Sequence, residues 1–358
     1  MTLEPGHHSF REITTQAASW QGALDAVGRQ RSALEALLDA HRDREHLYIG
    51  CGSTHYLALF AAPYTQALTG RPCRAAPSSE VTWQTGTLLA PGARPLVVAL
   101  SRSGETSETI MAVNRLRERG CEALTISCYD DTDLSRASSL TVAIPEGREE
   151  SFAQTRSFAG MLIASQAVAA LAAGDTGLLA DLARLPGLAE RLIARAAPLD
   201  ERIGQDEAIK RITYLGSGPL YGLASEATVK MKEMSLSLAE PYHFMEFRHG
   251  PMSLVDREHL VVALLSEGMR EYELGVFDDL RQRGARLVVV GNRLGDLPGE
   301  FEAVLDLEAD LPERACPVLY LPFVQLLAYY RAIGRGLDPD RPRNVVMAIR
   351  LDGAHQQS

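Results

Sequence analysis

The pentapeptide LVVAL stands at residues 96–100 and again at residues 260–264. Two further segments repeat with it, each pair given in chain order: YIGCGS (48–53) with YLGSGP (214–219), and ALTISC (123–128) with RLVVVG (286–291). The copies of YIGCGS, LVVAL and ALTISC lie 166, 164 and 163 residues after the originals, and a nearly constant spacing over three strand-like segments indicates an internal duplication. The sequence therefore predicts two copies of one α/β unit.

Each copy alternates short Val/Ile/Leu runs with longer helix-patterned stretches. The stretches ETSETIMAVNRLRERG (105–120) and YELGVFDDLRQRG (272–284) both end in a basic residue followed by glycine, which is typical of a helix C-terminus. Continuous apolar strands separated by helices indicate parallel sheets that are covered on both faces. We therefore predict an α/β protein with two tandem three-layer αβα domains and parallel sheets.

The domain boundaries follow from the repeat and from two helix-patterned stretches outside it. Residues 10–45 precede the first strand, and residues 175–208, rich in Ala, Leu and Arg, connect the two copies. The predicted divisions are an N-terminal arm (1–30), a first domain (31–195), a second domain (196–340) and a C-terminal tail (341–358).

The composition argues against several classes of partner. The chain has 358 residues, 46% hydrophobic and 23% charged, with a net charge of −10, which disfavours nucleic acid or an anionic membrane as the main partner. The five cysteines show no metal-ligand spacing, and no signal peptide or membrane-spanning stretch is evident, so we expect a reduced, cytoplasmic protein. We expect His7 and His8 to lie in a disordered polar terminus rather than in a metal site.

Small polar residues follow the first LVVAL. Ser101, Ser103 and Thr106 come directly after this strand, and Gly104 permits a positive φ or a close backbone approach. Since ligands of parallel sheets bind beyond the strand ends, where helices present free N–H groups, these residues predict a phosphate site. The alternative is a simple helix cap, which needs only one such residue. The second copy continues as LSEGMREYE (265–273) and has lost most of the hydroxyls, which favours a ligand role for the first loop.

Three charged residues predict a second functional cluster. Glu226, Lys230 and Glu233 are spaced i, i+4 and i+7 and so share one face of a helix, among apolar neighbours. A solvated ladder of ion pairs is the ordinary interpretation of such a stripe. A glutamate held there could instead transfer a proton between neighbouring carbons, and we slightly favour this interpretation. On the residues alone, His249 in RHGP is an incidental loop histidine.

Four motifs together resemble the sugar isomerase (SIS) domain family. They are SRSGETSET (101–109), SEATVKMKEMS (225–235), FRHGPMSLV (247–255) and LDPDRPRN (337–344). The chain is most similar to the isomerase half of glucosamine-6-phosphate synthase and to its glutaminase-free relatives, over about residues 30–350. The resemblance implies flavodoxin-like sheets, a homodimer, no cofactor and no metal, and a tail that covers the active site.

The resemblance also implies roles for individual residues. The sugar-phosphate pocket would be formed by Thr54, Ser101, Arg102, Ser103 and Thr106, with Gln154 as a further sugar contact. Glu233 matches the base that moves a proton between C1 and C2, and Glu226 and Lys230 match its neighbours on the helix. His249 matches a ring-opening histidine that the other subunit supplies.

Departures from the family pattern restrict the range of functions that we expect. Thr2 replaces the nucleophilic cysteine and no glutaminase segment precedes the isomerase part, so we do not expect glutamine-dependent synthesis. Arg156 replaces a lysine, and Met347 stands where the synthase has its Schiff-base lysine. We expect a phosphosugar isomerase acting on a hexose or hexosamine 6-phosphate, with or without deamination. The alternative is a non-catalytic sugar-phosphate sensor.

Overall fold

A computed structural model of the chain describes residues 4–351. Thr2 and residues 352–358 of the predicted tail lie outside the described residues. The strands are β1 His46–Gly50, β2 Cys73–Pro77, β3 Leu96–Ser101, β4 Ala123–Ser127, β5 Leu140–Ala143, β6 Arg211–Gly216, β7 Leu238–Tyr242, β8 His259–Leu264, β9 Arg286–Gly291 and β10 Ala303–Asp306.

The α-helices lie before, between and after these strands. They are α1 His7–Thr14, α2 Ala17–Arg29, α3 Arg31–Ala40, α4 Ser53–Thr69, α5 Ser78–Trp83, α6 Thr85–Leu88, α7 Ser107–Glu118, α8 Asp133–Ala137, α9 Arg156–Ala173, α10 Thr176–Leu182, α11 Pro186–Gly204, α12 Leu220–Ser235, α13 Phe244–Phe247, α14 Arg270–Gln282 and α15 Leu321–Gly334. Helices α7 and α14 are followed by Gly120 and Gly284, whose φ values of 78° and 86° suit the left-handed conformation after a helix.

Two five-stranded sheets confirm the predicted fold class. The first has the order β2-β1-β3-β4-β5 and the second β10-β9-β8-β6-β7. Read from its opposite edge, the second order repeats the first, as the duplication in the sequence predicts. All pairs are parallel, with, for example, Ala99 opposite Thr125 and Ala263 opposite Val289.

The chain divides into two compact units, each containing one sheet. The first-repeat unit comprises Ala18–Glu149, Arg156–Pro186 and the described residues from Val346 onward. The second-repeat unit comprises the described residues up to Ala17, together with Glu150–Thr155 and Gly187–Val345. Both units are therefore assembled from three separate chain segments.

Each unit has an apolar core on its sheet. In the first-repeat unit, fully buried Ile49, Ala99 and Val113 belong to one cluster that joins β1, β3 and α7. In the second-repeat unit, Leu215, Val261 and Val276 belong to the corresponding cluster of β6, β8 and α14. The cores hold the strand ends, and thus the loops that follow them, in fixed positions.

Two sequence-based expectations need correction. The polar terminus is ordered from His7, which begins α1, because the Gly6 amide donates to Asp338 Oδ1 (3.0 Å) and the His8 amide donates to Asp340 Oδ2 (2.9 Å). In addition, α9 is long and apolar enough to cross a membrane by length and composition. However, 83% of its 18 residues are buried inside the protein, as in the core helix of a globular fold.

Candidate active site

The loop after β3 begins at the carboxyl end of this strand, which is the central strand of the first sheet. Ser101 is the last residue of β3 and is buried. Gly104 has a φ of +67°, and a Cβ at this position would lie 2.3 Å from Thr132 Oγ1. Only glycine fits here, so the loop conformation depends on having glycine at position 104.

The hydroxyls of this loop partly fold the loop itself. Ser101 Oγ accepts from the Gly104 amide at 3.1 Å, and Ser103 Oγ accepts from the Glu105 amide at 3.2 Å. A hydroxyl that accepts an amide proton still has its own proton to donate to an anion. Thr106 stands at the N-cap of α7 but its side chain makes no capping hydrogen bond. Capping alone therefore does not explain Thr106.

Thr54 lies in the first turn of α4, on the neighbouring strand end. Its Oγ1 accepts from the Cys51 amide and donates to the Cys51 carbonyl, both at 2.9 Å, so this hydroxyl closes the turn after β1. Cys51 Sγ lies 3.5 Å from Thr109 Oγ1, which brings the turn against α7. Burial raises the pKa of the Cys51 thiol, so it stays neutral and is not an activated nucleophile.

Arg102 is a buried cation at the phosphate loop. Its Nη1 donates to Glu149 Oε2 at 3.2 Å. Glu149 in turn accepts from the Ser157 amide at 3.1 Å and from the Ser157 hydroxyl at 2.5 Å. Arg102 Nη2 donates to the Met347 carbonyl at 3.1 Å. The guanidinium is thus fixed between a buried carboxylate and the tail.

The described part of the tail crosses the start of α7. The Ser107 amide donates to the Ile349 carbonyl at 3.2 Å, and the Leu351 amide donates to Ser107 Oγ at 3.0 Å. Arg350 also pairs with Glu105. The tail is held through its backbone and the Arg350 side chain. Met347 contributes only its carbonyl, and the residue is 37% exposed.

In the second-repeat unit, α12 brings its three charged residues together as the spacing predicts. Lys230 Nζ lies 2.6 Å from Glu233 Oε2 and 3.4 Å from Glu226 Oε1. The side chains of Lys230 and Glu226 are each 1% exposed, whereas that of Glu233 is 25% exposed. A solvated ladder of ion pairs is therefore the wrong interpretation. The cluster is a buried ammonium with one buried and one accessible carboxylate, and only the accessible one can reach a ligand.

Gln154 lies in the short segment Glu150–Thr155 of the same unit. Within residues 4–351, its buried Oε1 has no hydrogen-bond partner. The segment is held by Glu12 of α1, whose Oε1 accepts from the Glu150 amide at 2.6 Å. The Asp340 carbonyl also accepts from the Phe152 amide at 2.9 Å. Hydrogen bonds at Glu150 and Phe152 thus hold the segment in which the Gln154 amide oxygen lacks a partner.

His249 is an exposed residue just after α13. Its amide donates to the Glu246 carbonyl at 3.0 Å, and its ring makes no hydrogen bond or ion pair within the described chain. The imidazole is therefore free to act on a neighbouring molecule.

The predicted site residues fall into two groups. Thr54, Ser101, Arg102, Ser103 and Thr106 lie in the first-repeat unit; Gln154, Glu226, Lys230, Glu233 and His249 lie in the second-repeat unit. Among residues 4–351, no three His, Cys, Asp or Glu side chains form a metal-binding group. The sequence reasoning missed Glu149, whose only signal was its position in an acidic pair just before FAQTRSF.

Comparison with known proteins gives this geometry a context. The sequence model of the SIS domain matches residues 41–171 and 208–328. The glutamine–fructose-6-phosphate aminotransferase of Pseudomonas putida is 30% identical over an alignment of 365 positions, which covers 97% of this chain and 59% of that protein. The chain thus spans about three fifths of the length of this relative.

Two solved structures share the fold over nearly the whole chain. Glucosamine-6-phosphate deaminase from Thermotoga maritima superposes with a TM-score of 0.80 and 27% identity, covering 96% of this chain and all of that one. Tagatose-6-phosphate ketose/aldose isomerase from Escherichia coli gives a TM-score of 0.85 and 25% identity, covering 98% of this chain and all of that one.

Proposed function

The chain belongs to the SIS domain family, and from this premise we propose that it is a phosphosugar isomerase acting on a hexose or hexosamine 6-phosphate. The names of its relatives, which include an aminotransferase, a deaminase and a ketose/aldose isomerase, support a sugar phosphate as the substrate. The reaction we propose is the interconversion of an aldose and a ketose, with loss of ammonia where the sugar carries a 2-amino group.

The phosphate would bind at the loop between β3 and α7. The N-terminal end of α7 favours an anion, and the Ser101, Ser103 and Thr106 hydroxyls can donate to its oxygens. Arg102 belongs to the same loop, and its ion pair with Glu149 fixes the guanidinium there. Thr54 would act through the shape of the neighbouring turn, because its hydroxyl proton is already donated to Cys51.

The observation that carries the proposal is the cluster on α12. Lys230 is buried and its Nζ lies 2.6 Å from Glu233 Oε2, which fixes the position of the Glu233 side chain. An accessible carboxylate at this place can remove the proton from C2 of an open-chain aldose and return it to C1 through an enediol. Buried Glu226 is the second carboxyl group beside the ammonium, with Oε1 3.4 Å from Lys230 Nζ.

Ring opening precedes this proton transfer. We assign it to His249, whose free and exposed ring suits a group that completes the site of a second subunit. This assignment entails a homodimer with shared sites. A cytoplasmic location is part of the same proposal and is supported by the five free cysteines.

Met347 excludes an imine with the tail at that position, because a thioether is not an amine nucleophile. A substrate that brings its own amine needs no such lysine. With a 2-amino sugar, the proton shift from C2 to C1 gives a ketose imine, and addition of water to this imine releases ammonia and leaves the ketose.

The test is a panel of hexose and hexosamine 6-phosphates assayed for aldose–ketose turnover and for ammonia. Glu233→Gln should abolish turnover and keep substrate binding. Glu240→Gln is the matched control, since Glu240 is an exposed carboxylate of the same unit. Full turnover by Glu233→Gln would refute the assignment of the base.

Met347 also favours a second candidate, a non-catalytic sugar-phosphate sensor. The tail holds the phosphate loop through backbone groups, which requires no chemistry at position 347. If the whole panel binds but nothing turns over, the sensor is the better description. Borohydride treatment with fructose 6-phosphate adds a check, because a sugar adduct on Lys230 or Lys232 would show that another amine forms the imine.

A further inference from the structure

The second repeat contains a loop that corresponds to the phosphate loop. It follows β8 as the phosphate loop follows β3, and it leads into α14 as the other leads into α7. In this loop the Ser266 amide donates to Glu273 Oε2 at 2.8 Å and the Ser266 hydroxyl donates to Glu273 Oε1 at 3.0 Å. Glu273 is fully buried.

The repeat offsets place Glu273 at the position of Thr109. The difference 273 − 109 is 164, the offset of the two LVVAL strands, and 217 − 51 is 166, the offset of the two strand-to-helix turns. In the first repeat, Thr109 contacts Cys51 of the turn. In the second repeat, the Ser217 hydroxyl of the turn hydrogen-bonds to the Glu273 carboxylate. The residue after the strand-to-helix turn's first glycine therefore interacts with the same helix position in both repeats. That helix position is Thr109 in the first repeat and carries a carboxylate, Glu273, in the second.

The partners of this carboxylate are those that a bound phosphate would use. They are one loop amide and two hydroxyls at the start of a helix, all facing a buried negative group. The next loop amide, of Glu267, also goes to a carboxylate, since it donates to Glu313 Oε1 at 2.7 Å. Burial raises the pKa of Glu273, while its hydrogen bonds with Ser217 and Ser266 oppose this rise.

We propose that Glu273 is a built-in anion that fills the second repeat's counterpart of the phosphate pocket. The chain's own side chain satisfies donors that would otherwise attract an external anion. Each chain then binds one sugar phosphate rather than two; this stoichiometry rests on the phosphate-binding role proposed for the first repeat.

The test replaces the internal anion with inorganic phosphate. Glu273→Ala should melt at a lower temperature than the control Glu271→Ala, which removes an exposed glutamate from the same turn of α14. At saturating phosphate, Glu273→Ala should regain about 3 °C more than the control regains. This extra gain should disappear when Ser217→Ala and Ser266→Ala are added.

The comparison isolates the second repeat, because wild type, control and variant share the same first-repeat loop. If phosphate stabilises all three proteins equally, or stabilises none, the proposal is wrong; only the second result also counts against the first-repeat phosphate site. If Glu273→Ala does not fold, the comparison of Glu273→Gln with Glu271→Gln decides. The two Ser266 donors bind different carboxylate oxygens, and the amide nitrogen that replaces one of these oxygens cannot accept a hydrogen bond. An unchanged melting temperature for Glu273→Gln would overturn the proposal.

Discussion

Replacing Lys230 with methionine should leave two carboxylates of α12 without their shared cation. Lys230 Nζ lies 2.6 Å from Glu233 and 3.4 Å from Glu226, and each attraction is about 4 kcal/mol or more at an effective dielectric constant of about 20. Much of this is offset by the cost of burying the charges. Breaking one partner out of a buried pair lowers the free energy of unfolding by about 3–5 kcal/mol, and we expect Lys230→Met to fall in this range at neutral pH.

The same change should lower turnover and make the loss of stability depend on pH. Without the ammonium, the Glu233 carboxylate loses the ion pair that fixes it on α12, so turnover should fall. The two carboxylates are costly to keep near each other only while they are charged, so the loss of stability should shrink at low pH.

Denaturant unfolding at neutral and low pH and a turnover assay measure these two effects. Lys232→Met is the matched control, because Lys232 is two residues away on the same helix and is exposed. It should change the free energy of unfolding by no more than about 0.5 kcal/mol and leave turnover unchanged. If Lys230→Met unfolds and turns over substrate like Lys232→Met, the buried charge cluster has no energetic role and our reasoning about Glu233 fails.

Three further predictions address the phosphate loop, the shared site and the core. Ser103→Ala with Thr106→Ala should weaken sugar-phosphate affinity at least about tenfold by calorimetry, since each lost charge-assisted hydrogen bond is worth about 1.5–3 kcal/mol; unchanged affinity would contradict the phosphate assignment. Mixing inactive Glu233→Gln with inactive His249→Ala should restore activity through hybrid dimers, and no rescue after proven subunit exchange would argue for a site within one chain. Burial raises the pKa of Asp200 far above its usual range, and both its carboxylate oxygens lack hydrogen-bond partners among residues 4–351. The unfolded chain ionises Asp200 above about pH 4, whereas the folded protein keeps the buried carboxyl group protonated. The free energy of unfolding should therefore fall as the pH rises above about 4, and Asp200→Asn should remove this fall. Parallel stability curves for the two proteins would rule this out.

The sequence predicted what depends on short-range pattern. Apolar runs such as LVVAL identify both sheets, because a parallel strand that is buried on two faces needs a continuous apolar segment. The spacing of Glu226, Lys230 and Glu233 predicts their shared helix face for the same kind of reason. The burial of Glu226 and Lys230 could not be predicted, because it depends on elements distant in the chain.

Contacts between distant residues account for what was missed. The Arg102–Met347 hydrogen bond joins residues 245 positions apart, and the Gly6–Asp338 bond joins residues 332 apart. Neither partner carries a local signal of the other. Asp338 explains why a terminus that is polar by composition is ordered, and no propensity argument at His7 or His8 could have shown this.

The three-segment construction of each compact unit limits how the gene could be divided. A cut between α10 and α11 would separate the two sheets, yet it would also remove α1 and residues 150–155 from the second-repeat unit. Asp340 would lose the Ser9 amide and hydroxyl that it accepts at 2.7 Å each, and the Gln154 segment would be left on the wrong fragment. A split protein made at this point should therefore work only when both fragments are co-expressed and reassociate, although the sequence repeat would suggest two independent modules.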